Sequence, residues 1–483
     1  MNLRKLLSQQ AMRAGALAIP ILVLAATGAP GQPNQVELSS VKVEASNEWL
    51  VATLKFAGAP PEFKTNALER PDRFEIVLLK TKIADKALEN GGSVKKFPLW
   101  KIAPYQGAQN ASLSFHTGYH CEALVKTNGS TIAVAFPRQT IYTRDIEIGG
   151  GALWRTEAKE NVNRPIRYDW IEIPPSAQVR LKVKSAMSVD RARRTLPLEQ
   201  ICRQTGALAG INAGYFNGQG FPVSTLLEDS VLVTTGRYAT RPMVLLTKEK
   251  GLRIGRFTVR PELVFDGKFI PLNGLNTELG QSSTVIYSWN YPFDLIPLDG
   301  FLYRLDGGRL TPVSGGIDEL MRPDQYYVAT NLIPEANPLS QIPKDAPVSL
   351  RSRVYERESG NLIDVIDAVG GAPMLVANGQ PNVTIAEDFV REDITKNPRA
   401  RTAIGVKGDG TVILVVVCEL QDGFYKGLKL DELANWLIRK GAVTAMNLDG
   451  GGSSQLAVGG TLVTPYGGEP RKLSNALLVL PAG

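Results

Sequence analysis

The stretch that decides the fold is TVILVVVCELQDGFYKGLKLDELANWLIRKGAVTAMNLDGGGSS, residues 411–454. It opens on a continuous β-branched run, Thr411 to Val417, which is typical of a strand that is covered on both faces. Asp431 then caps a helix with apolar residues at helical spacing, and Gly441 ends that helix. Ala442 to Leu448 form a second buried strand. This order of elements predicts an α+β domain, built on a mixed sheet with helices.

The second strand leads into NLDGGGSS, residues 447–454. Three glycines let the backbone approach a ligand closely, and their N–H groups can converge on an anion. Ser453 and Ser454 add hydroxyl donors, and Asp449 offers a carboxylate. No lysine follows the glycines, so the run is not a P-loop, and the spacing of a dinucleotide fingerprint is absent. By composition alone, a tight β-turn explains the run as well as a ligand site does.

Two further runs carry possible site chemistry. NAGYFN, residues 212–217, places two amides and two aromatic rings around a glycine, which suits a glycan pocket. RART, residues 399–402, places two arginines just before a strand, where a guanidinium can clamp a phosphate through two parallel bonds. The structural alternatives are core aromatics beside a turn and a solvated strand entrance.

Composition narrows the chemistry. The chain has 483 residues and a net charge of +7, a mild excess that favours anionic ligands without indicating nucleic acid. Only two histidines are present, His116 and His120, so a serine triad or a His-rich zinc site elsewhere in the chain lacks its imidazole. The three cysteines are far apart, which excludes a zinc ribbon and a disulfide framework.

The chain divides into four predicted parts. Residues 1–30 have a basic start, an apolar stretch and small residues after it, as a secretory signal peptide does; an uncleaved anchor is the alternative. Residues 35–137 alternate apolar and polar positions, which predicts a small all-β sandwich. Residues 138–165 are interpreted as a connector, and residues 166–483 as the α+β catalytic domain.

The three runs around residues 212, 401 and 449, in this order, resemble the phosphodiester glycosidase family. The resemblance covers roughly residues 150–481. It implies a hydrolase that cleaves a sugar C1–O–phosphate linkage. The catalytic residues that it implies are Asp449, Arg401, Asn212 and Asn447. The substrate-binding residues that it implies are Tyr215, Phe216, Asn217, Asn276, Thr402, Gly450, Gly451, Gly452, Ser453 and Ser454.

Under this resemblance, Arg401 and the glycine turn would stabilise the phosphate charge, and Asp449 would act as base or nucleophile at C1. Two-carboxylate chemistry asks for a partner, for which Glu419, Glu469 and Asp393 are candidates. One departure concerns Cys418-Glu419-Leu420, where many members carry Asp-Gly-Arg. Neither a cofactor nor a dedicated metal site is expected, although Asp449 and neighbouring carbonyls could hold a divalent cation.

A second resemblance lies in the N-terminal part. ERPDRF, residues 69–74, is similar to the turn that precedes a central strand in the AMIN domain, a β-sandwich module of bacterial envelope proteins. It implies binding to peptidoglycan or another cell-wall partner rather than catalysis.

The sequence thus predicts a periplasmic or extracellular hydrolase of an envelope glycan or exopolysaccharide, with no nucleic-acid partner and no membrane span in the mature chain. The alternatives are a non-catalytic protein that binds envelope glycan or peptidoglycan, and a glycosidase of unphosphorylated glycan.

Overall fold

Antiparallel strands make up most of the protein in the computed structural model. The structure describes residues 35–482 apart from 161–164, 239, 249–250, 298–299, 315–316, 319–321, 421–422 and 466–468, and the side chains at 293 and 393. The predicted signal peptide, residues 1–30, lies outside the described residues. Residues 36–483 form one compact unit by their contacts.

The N-terminal part consists of ten strands in the described residues. They are β1 (Val36–Ala45), β2 (Trp49–Phe56), β3 (Phe63–Glu69), β4 (Asp72–Leu78), β5 (Thr81–Ile83), β6 (Ser93–Lys96), β7 (Leu99–Gln106), β8 (Ala111–Thr117), β9 (Leu124–Asn128) and β10 (Thr131–Pro137). Two five-stranded sheets result, in the orders β5-β1-β2-β10-β9 and β3-β4-β8-β7-β6. The alternating inward side chains of both sheets fill one apolar core.

Strands also dominate the rest of the chain. They are β11 (Ile141–Gly149), β12 (Ala152–Lys159), β13 (Ile166–Ile173), β14 (Val179–Ser185), β15 (Ala209–Asn212), β16 (Leu226–Glu228), β17 (Val231–Thr234), β18 (Met243–Thr247), β19 (Gly251–Gly255), β20 (Phe257–Phe265), β21 (Lys268–Pro271), β22 (Gly274–Leu275), β23 (Thr284–Ser288), β24 (Phe301–Asp306), β25 (Arg309–Pro312), β26 (Tyr326–Thr330), β27 (Ser349–Glu356), β28 (Leu362–Ile363), β29 (Val365–Gly370), β30 (Met374–Ala377), β31 (Gln380–Pro381), β32 (Arg401–Lys407), β33 (Val412–Val417), β34 (Ala442–Asn447), β35 (Leu456–Val458), β36 (Thr461–Leu462) and β37 (Asn475–Pro481). The described α-helices are α1 (Ala186–Val189), α2 (Leu198–Thr205), α3 (Glu392–Lys396) and α4 (Leu430–Arg439).

The prediction of an α+β catalytic domain is wrong. The structure is 51% strand and 10% helix, and it is a β-rich fold of many antiparallel sheets. The predicted strand–helix–strand unit is present as β33, α4 and β34, but β32 lies between the two strands and pairs antiparallel with each. β32 precedes β33 in the chain, so the order of elements within residues 411–454 could not reveal that it lies between β33 and β34. These strands therefore have antiparallel neighbours where the sequence predicted a mixed sheet.

The connector predicted at 138–165 instead carries two strands. β11 and β12 form a hairpin around Gly149–Gly151, and β12 continues the sheet into β13. All three glycines have positive φ, which a tight turn requires and which glycine adopts without steric cost. The glycines that suggested a linker are therefore the turn of a hairpin at the edge of an eight-stranded sheet, in the order β11-β12-β13-β33-β32-β34-β30-β31.

That eight-stranded sheet positions the candidate site. Helix α4 packs its apolar face, including Leu433, Trp436 and Leu437, on one side of the sheet. The other side packs on the sheet β14-β37-β15-β35-β36, with Leu414 and Met446 in the shared core. All six residues of β33 are buried, as its β-branched run predicts. The three sequence runs then meet where β15, β32 and β34 come together.

Candidate active site

Asn212 is the residue that joins the three runs. Its Nδ2 donates to the carbonyl oxygen of Asp449 at 2.6 Å, and its Oδ1 accepts from Thr402 Oγ1 at 2.7 Å. The same Oδ1 accepts from the backbone N–H of Gln455 at 3.1 Å. Because the Asn212 side chain is buried with each of its polar atoms bonded, it fixes the backbone on both sides of the glycine turn.

The glycine turn, residues 450–454, lies directly beside the segment before β32. Gly451 has a φ of +59° and donates from its N–H to the carbonyl oxygen of Ala400 at 2.8 Å. Ser453 N–H bonds Gly450 O at 3.3 Å, and Ser454 N–H bonds Gly451 O at 3.0 Å. These three backbone donors are therefore engaged within the protein, whereas the sequence suggested that they could converge on an anion.

Asp449 precedes the turn and is partly buried. Burial raises the pKa of its carboxyl to about 6, against the opposing effects of a hydrogen bond from Ser453, the nearby Arg471 guanidinium and the Gly450 N–H. A carboxyl with that pKa can exchange its proton near neutral pH, which suits acid–base chemistry.

Tyr215 and Asn447 form a polar cluster next to Asp449. Tyr215 donates from its hydroxyl to Ala372 O at 2.7 Å, and Asn447 Nδ2 approaches the same hydroxyl at 3.2 Å. Burial raises the pKa of Tyr215, and the charge of Asp449 raises it further. Asn447 also donates to Ala372 O at 2.9 Å, while its buried Oδ1 accepts no hydrogen bond in the described part of the chain.

A cavity of about 640 Å³ borders the glycine turn. The described residues that line it are Asn397, Pro398, Arg399, Ala400, Cys418, Glu419, Leu420, Gly423, Tyr425, Lys426, Gly451, Gly452, Ser454, Thr464 and Pro465. Asp449 is not in this lining, although it is two residues from Gly451. The cavity contains cations, a carboxylate and hydroxyls, which are the groups that a charged glycan needs.

Two features of the cavity wall point to an anionic ligand. Arg399 and Lys426 are exposed side chains on facing segments of the wall. Ser454 is 6% exposed, and its Oγ has no hydrogen-bond partner among the described residues. A buried hydroxyl without a partner is costly, unless a ligand or water satisfies it. The two exposed cations, Arg399 and Lys426, favour an anionic ligand in the cavity.

Glu419 is the predicted second carboxylate that lies in the cavity. Its Oε2 accepts from the backbone N–H of Ala400 at 2.8 Å, and its Oε1 lies 3.6 Å from Arg399 Nη1. Since the carbonyl of Ala400 accepts from Gly451, a single residue separates Glu419 from the glycine turn. Glu469 is exposed and does not line the cavity, and the side chain of Asp393 lies outside the described part of the chain.

Arg401 lies beside the turn but is only 1% exposed. Its guanidinium donates to the carbonyl oxygens of Leu428, Ile394 and Asn397, at 2.9, 2.6 and 3.1 Å. Burial lowers its pKa, which the charges of Tyr215 and Glu419 oppose. Arg401 could clamp a phosphate only if these hydrogen bonds opened. In the structure, Arg401 holds the backbone behind the cavity.

Arg471 is the guanidinium that sequence reasoning missed. It lies over the Phe216 ring at 4.7 Å, and its Nη1 bonds Ser453 Oγ at 3.3 Å. Its charge also opposes the rise in the pKa of Asp449. Arg471 stands in a polar loop with no motif around it, so only the pairing of β37 beside β15 reveals its position.

Two predicted binding residues lie at another cavity. Asn217 and Asn276 line a space of about 380 Å³ with Phe221 and Tyr291. The Asn217 side chain accepts from the N–H groups of Gln219 and Phe221, which closes a turn. The Asn276 amide is 2% exposed and bonds its neighbours, so both asparagines have structural bonds that the motif did not reveal.

Metal-binding clusters and membrane-spanning helices were sought among the described residues. No group of three or more His, Cys, Asp and Glu side chains that could hold a metal ion is found in residues 35–482 outside the gaps. No helix among the described residues is both long and apolar enough to cross a membrane.

The fold and site define a β-rich protein whose glycine turn begins at a raised-pKa aspartate and borders a cationic cavity. Residues 305–480 match the model of the phosphodiester glycosidase family. This match indicates a hydrolase that acts on phosphodiester-linked sugars. The matched range includes Arg401, Glu419, Asp449 and Arg471. Asn212 and Tyr215 precede it in the chain.

Three other comparisons concern one related sequence and two solved structures. An uncharacterized protein of Rickettsia conorii is 26% identical over 247 residues, or 48% of this chain and 83% of that protein. A hypothetical protein from Synechocystis superimposes with a TM-score of 0.68 at 19% identity, over 92% of this chain and 81% of the other. A Burkholderia pseudomallei protein, described as a candidate for export, gives a TM-score of 0.53 at 16% identity, over 96% and 100% of the two chains. These two structures show the fold alone.

Proposed function

We propose that this protein is an exported hydrolase that cleaves the bond between a sugar C1 and a phosphodiester in an envelope or extracellular glycan. The observation that carries the proposal is the glycine turn, which has Asp449 at its start and Ser454 in the wall of a cationic cavity. The family match over residues 305–480 supports the same reaction class.

In this reaction, a water oxygen replaces the phosphate oxygen at C1, giving a free sugar and a phosphate monoester. The phosphate is already a good leaving group, so it needs charge stabilisation more than protonation. Arg399 and Lys426 supply that stabilisation from the cavity wall. Asp449 acts at C1 as base or nucleophile, and Glu419 is the second carboxylate that two-carboxylate chemistry asks for.

The experiment measures release of N-acetylglucosamine from its nucleotide phosphodiester by the full chain. Asp449→Asn should lower turnover by about 10³-fold or more, because it removes the ionisable group without changing size. Asp145→Asn is the matched control, since that carboxylate is 60% exposed on a different hairpin. Binding of the substrate with no release by the wild-type chain would support a non-catalytic glycan-binding protein instead.

Inorganic phosphate separates the proposed reaction from ordinary glycosidase action. A cavity that recognises phosphate predicts competitive inhibition by inorganic phosphate, and Lys426→Gln should weaken that inhibition by about tenfold. Lys396→Gln provides the control, because Lys396 is an exposed lysine on α3 outside the cavity lining. An enzyme that hydrolyses unphosphorylated glycan and ignores phosphate would refute the phosphodiester reaction.

A further inference from the structure

One wall of the cavity is a loop that the N-terminal sheets hold in place. This loop consists of the described residues 418–420 and 423–428 and is called the cavity loop here. It turns back on itself through a bond from Leu420 N–H to Tyr425 O at 2.9 Å. Glu419 and Lys426 are paired neighbours within this loop, so two of the three charged side chains that line the cavity depend on its position.

The apolar side chains of the cavity loop belong to the core of the N-terminal sandwich. Leu420, Phe424 and Tyr425 are between 0% and 4% exposed and pack in the same cluster as the residues of β2 and β8. Phe424 stacks on Phe97 with ring centroids 6.2 Å apart and planes inclined by 13°. Since these three side chains lose their cover without the N-terminal sandwich, the cavity loop needs that part of the chain to keep its shape.

Tyr425 makes the most specific of these contacts. Its hydroxyl donates to Gly118 O at 3.2 Å, and a Cβ added at Gly118 would stand 2.3 Å from that hydroxyl oxygen. Such a distance is far inside van der Waals contact, so any larger residue at this position must push the tyrosine away. Tyr425 therefore occupies the space that a side chain at residue 118 would fill.

A buried ionic cluster holds the opposite wall from the same side. Arg167 Nη1 bonds Asp72 Oδ2 at 2.7 Å and Gly118 O at 3.1 Å, while its Nη2 reaches Val463 O at 3.2 Å. Val463 precedes Thr464 and Pro465, which line the cavity. One arginine thus connects the N-terminal sandwich to the residues that face the cavity loop.

We propose that the N-terminal sandwich shapes the substrate cavity without lining it, and that Tyr425 is the positioning residue through which the sandwich sets the cavity loop. The sandwich in this protein then determines substrate fit, in addition to any wall binding. A fragment that begins after residue 150 would remove Gly118 from Tyr425, and both Asp72 and Gly118 from Arg167, whose ion pair with Asp169 would remain.

The test uses three full-chain variants and hydrogen–deuterium exchange. Gly118→Ala should displace Tyr425 and raise amide exchange in residues 418–428, while exchange in β20 stays unchanged. Gly118 has no left-handed φ, so the added methyl tests the contact and not backbone strain. Gly58→Ala is the matched control, because nothing lies within 4 Å of a Cβ at that glycine of the same sandwich.

The double variant Gly118→Ala with Tyr425→Phe supplies the rescue. Removing the hydroxyl leaves Phe97 Cε2 at 3.1 Å and Pro98 O at 3.3 Å as the nearest atoms, which small shifts can accommodate. Exchange in the cavity loop should return toward the wild-type value, as expected for two coupled residues. A double variant that exchanges as fast as Gly118→Ala would overturn the role of Tyr425, and unchanged exchange in Gly118→Ala would overturn the whole proposal.

A kinetic measurement then depends on the proposed function. Gly118→Ala should raise KM for the nucleotide phosphodiester by about fivefold while kcat changes by less than about twofold. If the variant only reduced the fraction of active protein, the measured rate and the number of active sites would fall together and KM would stay unchanged. Since exchange is measured without substrate, a protein with no hydrolase activity would still confirm or refute the positioning role.

Discussion

Asn212 Nδ2 donates to the carbonyl oxygen of Asp449 at 2.6 Å, across 237 residues of chain. The amide belongs to the first sequence run and the aspartate to the third. Through Thr402, the same side chain also bonds the second run. The turn that carries Asp449 is therefore held in place by the Asn212 side chain as well as by β34, the strand that precedes it.

Asn212→Ala should lower the free energy of unfolding by about 2–4 kcal/mol, because it leaves three buried groups without a partner. The expected cost comes from Thr402 Oγ1, the Gln455 N–H and the Asp449 carbonyl. Denaturant unfolding of the full chain measures it. Asn382→Ala, at an exposed position, should change stability by less than about 0.5 kcal/mol. An equal effect of both variants would contradict the role of Asn212.

Asp449→Asn should stabilise the protein at neutral pH. Burial raises the pKa of Asp449 to about 6, above its ordinary value, so the folded protein binds this proton more tightly than the unfolded chain does. Stability therefore falls as pH rises from about 4 to 6 and then stays level. The neutral amide should add roughly 1–3 kcal/mol to the free energy of unfolding at pH 7.5.

The same difference should become small at pH 3.5, where Asp449 is protonated in the folded protein and mostly protonated in the unfolded chain. Denaturant titrations of wild type and variant at the two pH values make the comparison. A variant that is equally stabilised at both pH values would show that packing, and not ionisation, causes the effect. Asp145→Asn should show no gain at either pH, because Asp145 is mostly exposed.

The pH dependence of the proposed reaction follows from the same group. If ionised Asp449 acts at C1, log kcat/KM should rise with a slope of about one below pH 6 and level off above it. The wild-type profile on the nucleotide phosphodiester of N-acetylglucosamine measures this limb. A profile that instead falls above pH 6 would mean that the protonated form is active and that Asp449 works as the acid.

Local sequence was informative where a residue's backbone conformation or burial sets its identity. The run of β33 predicted a strand buried on both faces, and all its residues are buried. Gly206 and Gly441 both follow helices with positive φ, as C-terminal glycines do. These features depend only on neighbours in sequence, which is why pattern analysis finds them.

Features made by distant segments were not predictable. The α+β prediction failed because β32 inserts between β33 and β34, and their sequences do not encode that neighbour. The motif around Arg401 suggested a phosphate clamp, yet its guanidinium donates to the carbonyl groups of Ile394 and Asn397 in the preceding segment and of the distant Leu428. Arg471 reaches Ser453 only because β37 pairs with β15. Each case depends on tertiary pairing, which a single sequence does not display.

Asp72 offers a test of how firmly the N-terminal sandwich is attached. Its carboxylate accepts from both Arg144 and Arg167 and is fully buried. Asp72→Asn should lower the free energy of unfolding by about 3–5 kcal/mol, because it leaves two buried guanidinium groups with one carboxylate fewer. Glu392→Gln is the control: the Glu392 side chain is 77% exposed in its ion pair with Lys396, so this change should cost less than about 0.5 kcal/mol. Calorimetry of both variants decides the matter: if Asp72→Asn melts as wild type does, the sandwich is held by apolar packing alone, and the buried charges add nothing to its attachment.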